Sequence, residues 1–90
     1  MPFGPKKLER IAKGFANHHR IAILQHLDKN PELSLQEIAD NLKMNLKTTS
    51  EHTRRLAIAG LIIKRYDHRE VRHKVTDLGK DILIFLRKLE

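Results

Sequence analysis

The spacing of apolar residues switches once along this chain and then switches back, and that switch constrains the fold more than any other feature. Up to Gly60 apolar side chains recur every three or four positions, from Leu61 to Val75 they run together or alternate in twos, and beyond Thr76 helical spacing returns. The order is four helices, a β-hairpin and a last helix, so the fold is mainly α with a small hairpin. With 90 residues and no internal repeat or linker, the whole chain, residues 1–90, reads as a single domain. Its compact part spans Pro5 to Leu89, and the first four residues are expected to be loose.

Capping chemistry places the helix ends. The first helix runs from about Pro5, where proline suits an opening turn, to about Asn17, and Asn17 also suits the cap of a second helix. That helix carries Ile21, Leu24 and Leu27 inward and stops before Asn30-Pro31, because the residue before proline disfavours helical angles. Ser34 and Glu37 form a capping box, opening a third helix with Leu35, Ile38, Ala39 and Leu42 buried. Lys43-Met44-Asn45 is a brief turn. Asn45 then caps a fourth helix reaching about Ala59 and closed by Gly60.

Past Gly60, Leu61, Ile62 and Ile63 are β-prone, and Val71, His73 and Val75 alternate with Arg72 and Lys74. Asp67-His68-Arg69-Glu70 forms the tip. Without an Asn-Gly or Asp-Gly pair, a long, loose tip is expected. Thr76 caps the last helix, Asp77 to Leu89.

Charge limits the partners. Eighteen Lys and Arg oppose eleven Asp and Glu, a net charge of +7, which selects polyanions such as nucleic acid or an acidic membrane surface. The absence of cysteine excludes disulfides, thiolate zinc sites and thiol nucleophiles. No signal-peptide pattern opens the chain and no apolar run approaches the roughly 20 residues that span a bilayer. A soluble, cytoplasmic protein without membrane association is expected.

A short helix, a three-residue turn and a second, polar helix make the geometry by which a helix enters the major groove of double-stranded DNA. In the fourth helix Leu46, Thr49, Thr53, Leu56 and Gly60 follow the inner spacing. Lys47, Thr48, Ser50, Glu51, Arg54 and Arg55 then face outward, beside the capping Asn45. Arg and Lys suit guanine or phosphate, hydroxyls suit either, and Glu51 suits the amino group of cytosine. His52 is open to two roles, a phosphate contact or packing near the hairpin. Arg65, His68 and Arg69 extend the basic surface onto the hairpin, and Arg69 suits either a narrow minor groove or a solvated turn.

The stretch from Asn17 to Gly79 resembles the ArsR-type winged helix-turn-helix regulators. The likeness rests on Asn17 to Leu24, on Leu35 with Glu37-Ile38-Ala39, on Ser50-Glu51-His52 with Leu56, Ala59, Gly60, Leu61 and Ile62, and on Val75-Thr76 with Gly79. It implies a transcriptional regulator that dimerises through its terminal helices. The chain departs from the pattern at Thr53 and Arg55, where apolar residues are usual, and at a wing tip without glycine. The metal-binding cysteines and last-helix histidines of the sensing members are missing, so no metal, and no other cofactor, is expected.

Five consecutive apolar residues, Ile82 to Leu86, occupy more than one face of the last helix and point to an interface with a second copy. Leu8, Ile11, Phe15, Ile82, Leu83, Phe85, Leu86 and Leu89 are the candidate dimer residues. The paired His18-His19 and His26 lack acidic neighbours and fit surface or capping roles. Catalysis is not expected: Ser34 is a cap, Ser50 has no acid-base partners, and no phosphate-binding glycine loop is present. The alternatives are a winged-helix module for protein assembly and an architectural nucleic-acid binder without sequence preference. With only Tyr66 and three phenylalanines, single-strand stacking is disfavoured.

Overall fold

In the computed structural model, which describes residues 3–90, four of the five helices begin on a side chain that accepts from free backbone amides. The elements are α1 Pro5–Phe15, α2 His18–Lys29, β1 Leu33–Ser34, α3 Leu35–Leu42, α4 Leu46–Ile58, β2 Ile62–Asp67, β3 Glu70–Val75 and α5 Asp77–Arg87. Asn17 Oδ1 accepts from the amides of His19 and Arg20, and Ser34 and Glu37 close the capping box in both directions. Asn45 Oδ1 accepts from Lys47 and Thr48, and Thr76 Oγ1 from Gly79. Helix α1 opens instead on Pro5, whose missing amide costs nothing there. It ends at Phe15, short of the expected Asn17, and α5 ends at Arg87, short of Leu89.

Both helices of the central pair end in a Schellman motif. After α3, Lys43 adopts the left-handed conformation (φ +54°) while the Met44 amide donates to Ala39 O at 2.8 Å. After α4, Gly60 (φ +81°) plays the same part, with the Leu61 amide donating to Leu56 O at 3.0 Å. Thr76 Oγ1 then donates to Gly60 O at 2.6 Å, fixing the start of α5 against this turn.

The hairpin proves to be part of a three-stranded antiparallel sheet of order β1-β3-β2. The unexpected strand, β1, pairs Leu33 with His73 and Ser34 with Arg72. The tip is also tighter than expected. Asp67 pairs with Glu70, which leaves a two-residue turn with His68 at φ +56° in place of a glycine.

Ile11, Ile23, Leu24, Leu27, Ile38, Leu56, Leu61, Ile62, Val75 and Leu83 form one core around α2, which packs against every other helix and against β3. Because neighbours surround α2, its buried face is wider than the sequence suggests: Ile23 is fully buried, whereas Ile21 is only partly so. In α3, Ile38 and Ala39 are buried but Leu35 and Leu42 lie at the margin. Met1 and Pro2 lie outside the described residues. Phe3, expected to be loose, packs against the core.

Candidate nucleic-acid interface

Helix α4 is anchored by one face and open on the other. Thr49, Thr53 and Leu56 are buried, and each threonine hydroxyl is satisfied within the helix: Thr49 Oγ1 donates to Asn45 O at 2.8 Å and Thr53 Oγ1 to Ser50 O at 2.9 Å. Thr53 thus occupies an apolar position without leaving a buried donor unpaired. Leu46, expected inside, is 45% exposed, and Gly60 is exposed.

Asn45, Lys47, Thr48, Ser50, Glu51, Arg54 and Arg55 are all exposed. Lys47, Thr48, Glu51, Arg54 and Arg55 fall into one stripe at helical spacing. Glu51 is its only anion. Arg54 donates to the Glu51 carboxylate through Nε at 3.2 Å and Nη2 at 2.8 Å, and Arg55 through Nε at 3.1 Å. These bonds to Arg54 and then Arg55 pull the Glu51 carboxyl down to about 2, and Arg54 is raised in turn. The end of the stripe borders a groove of about 300 Å³ between α1 and α4, lined by Arg55 and Ile58 on one side and Lys7, Arg10 and Lys13 on the other.

His52 packs against α2. It is half-buried on the flank of α4 that meets α2, where its Nδ1 accepts from Arg20 Nε at 3.1 Å and its ring lies 5.5 Å from that of His19. Burial, then the charge of Arg20, lowers its pKa. An accepting Nδ1 requires the neutral ring. This contact joins residues 32 positions apart, which no local pattern reveals.

In the wing, Arg65 is held by Glu32 at 2.9 Å, and Arg72 by Glu70 at 2.9 Å and by the carbonyl of Glu32 at 2.9 Å. Glu32, absent from the sequence reading, therefore braces the root of the wing from the loop before β1. His68 and Arg69 stand exposed at the tip. Among the described residues Lys47, Lys64, Arg69 and Lys74 make no ion pair.

The candidate dimer residues divide. Leu8, Phe85 and Leu89 are half or more exposed, as is Ile84 between them. Ile11 and Leu83, at 4% and 5% exposure, belong instead to the protomer core, and Phe15 and Ile82 pack against it; Leu86 is partly buried. Helical spacing alone does not separate the core-facing from the open side when five apolar residues run together. Among the described residues no cluster of three His, Cys, Asp or Glu is arranged to hold a metal ion, and no helix is long and apolar enough to cross a membrane.

Solved structures repeat this architecture. The homodimeric winged helix-turn-helix DNA-binding domain Mb0332 of Mycobacterium bovis, a possible ArsR-family transcriptional regulator, is similar at 26% identity and a TM-score of 0.81, over 93% of this chain and 77% of that one. HlyU of Vibrio cholerae is similar at 28% identity and a TM-score of 0.83, over 99% and 97%. A MarR transcriptional regulator of Methanosarcina mazei, at 20% identity and a TM-score of 0.74 over 88% and 62%, shares the fold. No curated protein matches the chain. The family model described as winged helix-turn-helix DNA-binding matches residues 17–63, from the cap of α2 into β2, and the chain belongs to that family.

Proposed function

We propose that this protein is a sequence-specific transcriptional regulator that binds double-stranded DNA as a homodimer, in the manner the resemblance to ArsR-type regulators implies. The observation that carries the reading is the two-sided α4, anchored by Thr49, Thr53 and Leu56 and presenting Lys47, Thr48, Arg54 and Arg55 to solvent. Two copies related by a two-fold axis place two such helices in successive major grooves, with Arg69 and His68 of each wing on flanking backbone or minor groove. The operator is then near-palindromic, with half-sites about one helical turn or a multiple apart. Exposed Leu8, Ile84, Phe85 and Leu89 supply the apolar surface for self-association. The protein works in the cytoplasm and carries neither a catalytic centre nor a Cys- or His-based metal sensor.

Selection of bound duplexes from a random pool tests the reading. Enrichment of one near-palindromic sequence is the expected result. Recovery of duplexes without a shared sequence would identify an architectural binder, and failure to retain duplex at all would identify a module for protein assembly.

A further inference from the structure

The two arginines on the stripe of α4 are held unequally. Glu51 takes Arg54 side-on through Nε and Nη2, whereas it takes Arg55 through Nε alone. A guanidinium offers its donors in a planar fork. Arg54 spends its side edge on Glu51, while Arg55 keeps both terminal nitrogens free for another planar acceptor. Lys7, Arg10 and Lys13 line the α1 wall of the groove beside Arg55, and their like charge disfavours its swinging across toward α1.

In a DNA major groove the planar two-acceptor partner of an arginine is guanine, through O6 and N7. The Glu51 carboxylate has the opposite requirement. It is exposed and acceptor-only, and the groove donors are the amino groups of cytosine N4 and adenine N6. Over any other base edge it meets acceptors and repels them.

Resting on the DNA-binding reading above, we infer that Glu51 is the specificity-determining residue of this interface: it aims Arg55 at guanine and rejects a neighbouring base pair oriented so that its guanine or thymine edge, rather than its cytosine or adenine amino group, faces the carboxylate. Arg54 is the positioning residue that holds the carboxylate in place. Had Glu51 only tempered the positive charge of the helix, its removal would strengthen every duplex equally.

The test uses the full chain and a random duplex pool, with wild type, Glu51→Gln, Arg54→Lys and Arg55→Lys compared. All three positions are exposed, so thermal melting stays unchanged. Wild type enriches a half-site with a guanine and, at one fixed neighbouring position on one fixed strand, cytosine or adenine to the exclusion of guanine and thymine. Arg55→Lys lowers the ratio of selected to random affinity about tenfold, a modest loss for one bidentate base contact, and Arg54→Lys lowers it less. Glu51→Gln tightens binding to random duplex while the preference beside the guanine relaxes. Equal strengthening of selected and random duplex by Glu51→Gln, or equal losses for the two lysine variants, would overturn the inference and leave the regulator reading standing. A wild type that enriches nothing overturns that reading and this one together.

Discussion

Arg20 on α2 donates through Nε to His52 on α4 at 3.1 Å while its Nη1 reaches the carbonyls of Lys13 and Gly14 at the end of α1, at 3.0 and 3.4 Å. One guanidinium thus joins the first two helices to the candidate recognition helix. Only a planar fork spans these acceptors at once. Arg20→Lys and Arg20→Ala are both expected to lower stability by about 1–3 kcal/mol, because partly buried acceptors lose their donor. Urea denaturation measures this, and an Arg20→Lys variant as stable as wild type would show that charge alone suffices.

Acidification should weaken the fold through two histidines. Burial first, then Arg20 and His19, lowers the pKa of His52; burial likewise lowers that of His73, against the opposing hydrogen bond of its Nδ1 to Leu33 O at 2.9 Å. Unfolding returns both rings to the ordinary value near 6.5. Below that pH the unfolded chain binds more protons than the folded one, so the contribution is complete above about 6.5 and declines as pH falls toward the lowered folded values. The urea midpoint is expected to be lower at pH 5.5 than at pH 7.5. A midpoint that rises on acidification would contradict the assignment.

Lys43 holds a left-handed conformation in which a side chain is strained, whereas Gly60 fills the equivalent place after α4 without strain. Lys43→Gly is expected to raise stability by about 1 kcal/mol. Thermal melting reads the effect, and a loss of stability would mean that the lysine side chain makes a contribution beyond its backbone.

Thr53 is fully enclosed, and its hydroxyl bonds only to a carbonyl within its own helix. Thr53→Val keeps the shape and removes a donor whose partner already belongs to the helical ladder, so stability should change by less than about 1 kcal/mol. A loss of several kcal/mol in urea denaturation would show that the hydroxyl has a further role.

What the sequence discloses here follows the range of the interactions. The caps at Asn17, Ser34, Asn45 and Thr76 and the glycine stop at Gly60 are settled within a few residues, and all stand where the residue types place them. Strand β1 is two residues long and has a partner forty positions away, so no alternation announces it. Separations of 33 and 32 residues likewise hide the grip of Glu32 on Arg65 and of Arg20 on His52. The tip at His68 is tight because six paired positions close it, although the residues themselves favour a looser turn. Exposure of Arg55 was legible from helical spacing; its unequal share of Glu51 was not, since side-chain geometry decides it.

Salt dependence follows from the charge. If the proposed dimer neutralises roughly 6 to 10 phosphates, affinity falls by about three to five decades between 50 and 200 mM salt. Fluorescence anisotropy across that range checks this, and a flat response would remove electrostatics as the source of affinity.

The central claim, that the open face of α4 is the surface that meets DNA, is tested most directly by the affinity of Arg54→Ala and Arg55→Ala for the selected duplex, measured beside their thermal melting. Both variants are expected to bind at least about fivefold more weakly, Arg55→Ala by loss of a base contact and Arg54→Ala by loss of a cation facing the duplex and of the hold on Glu51, with melting unchanged. Unchanged affinity in both would place the interface elsewhere on the molecule.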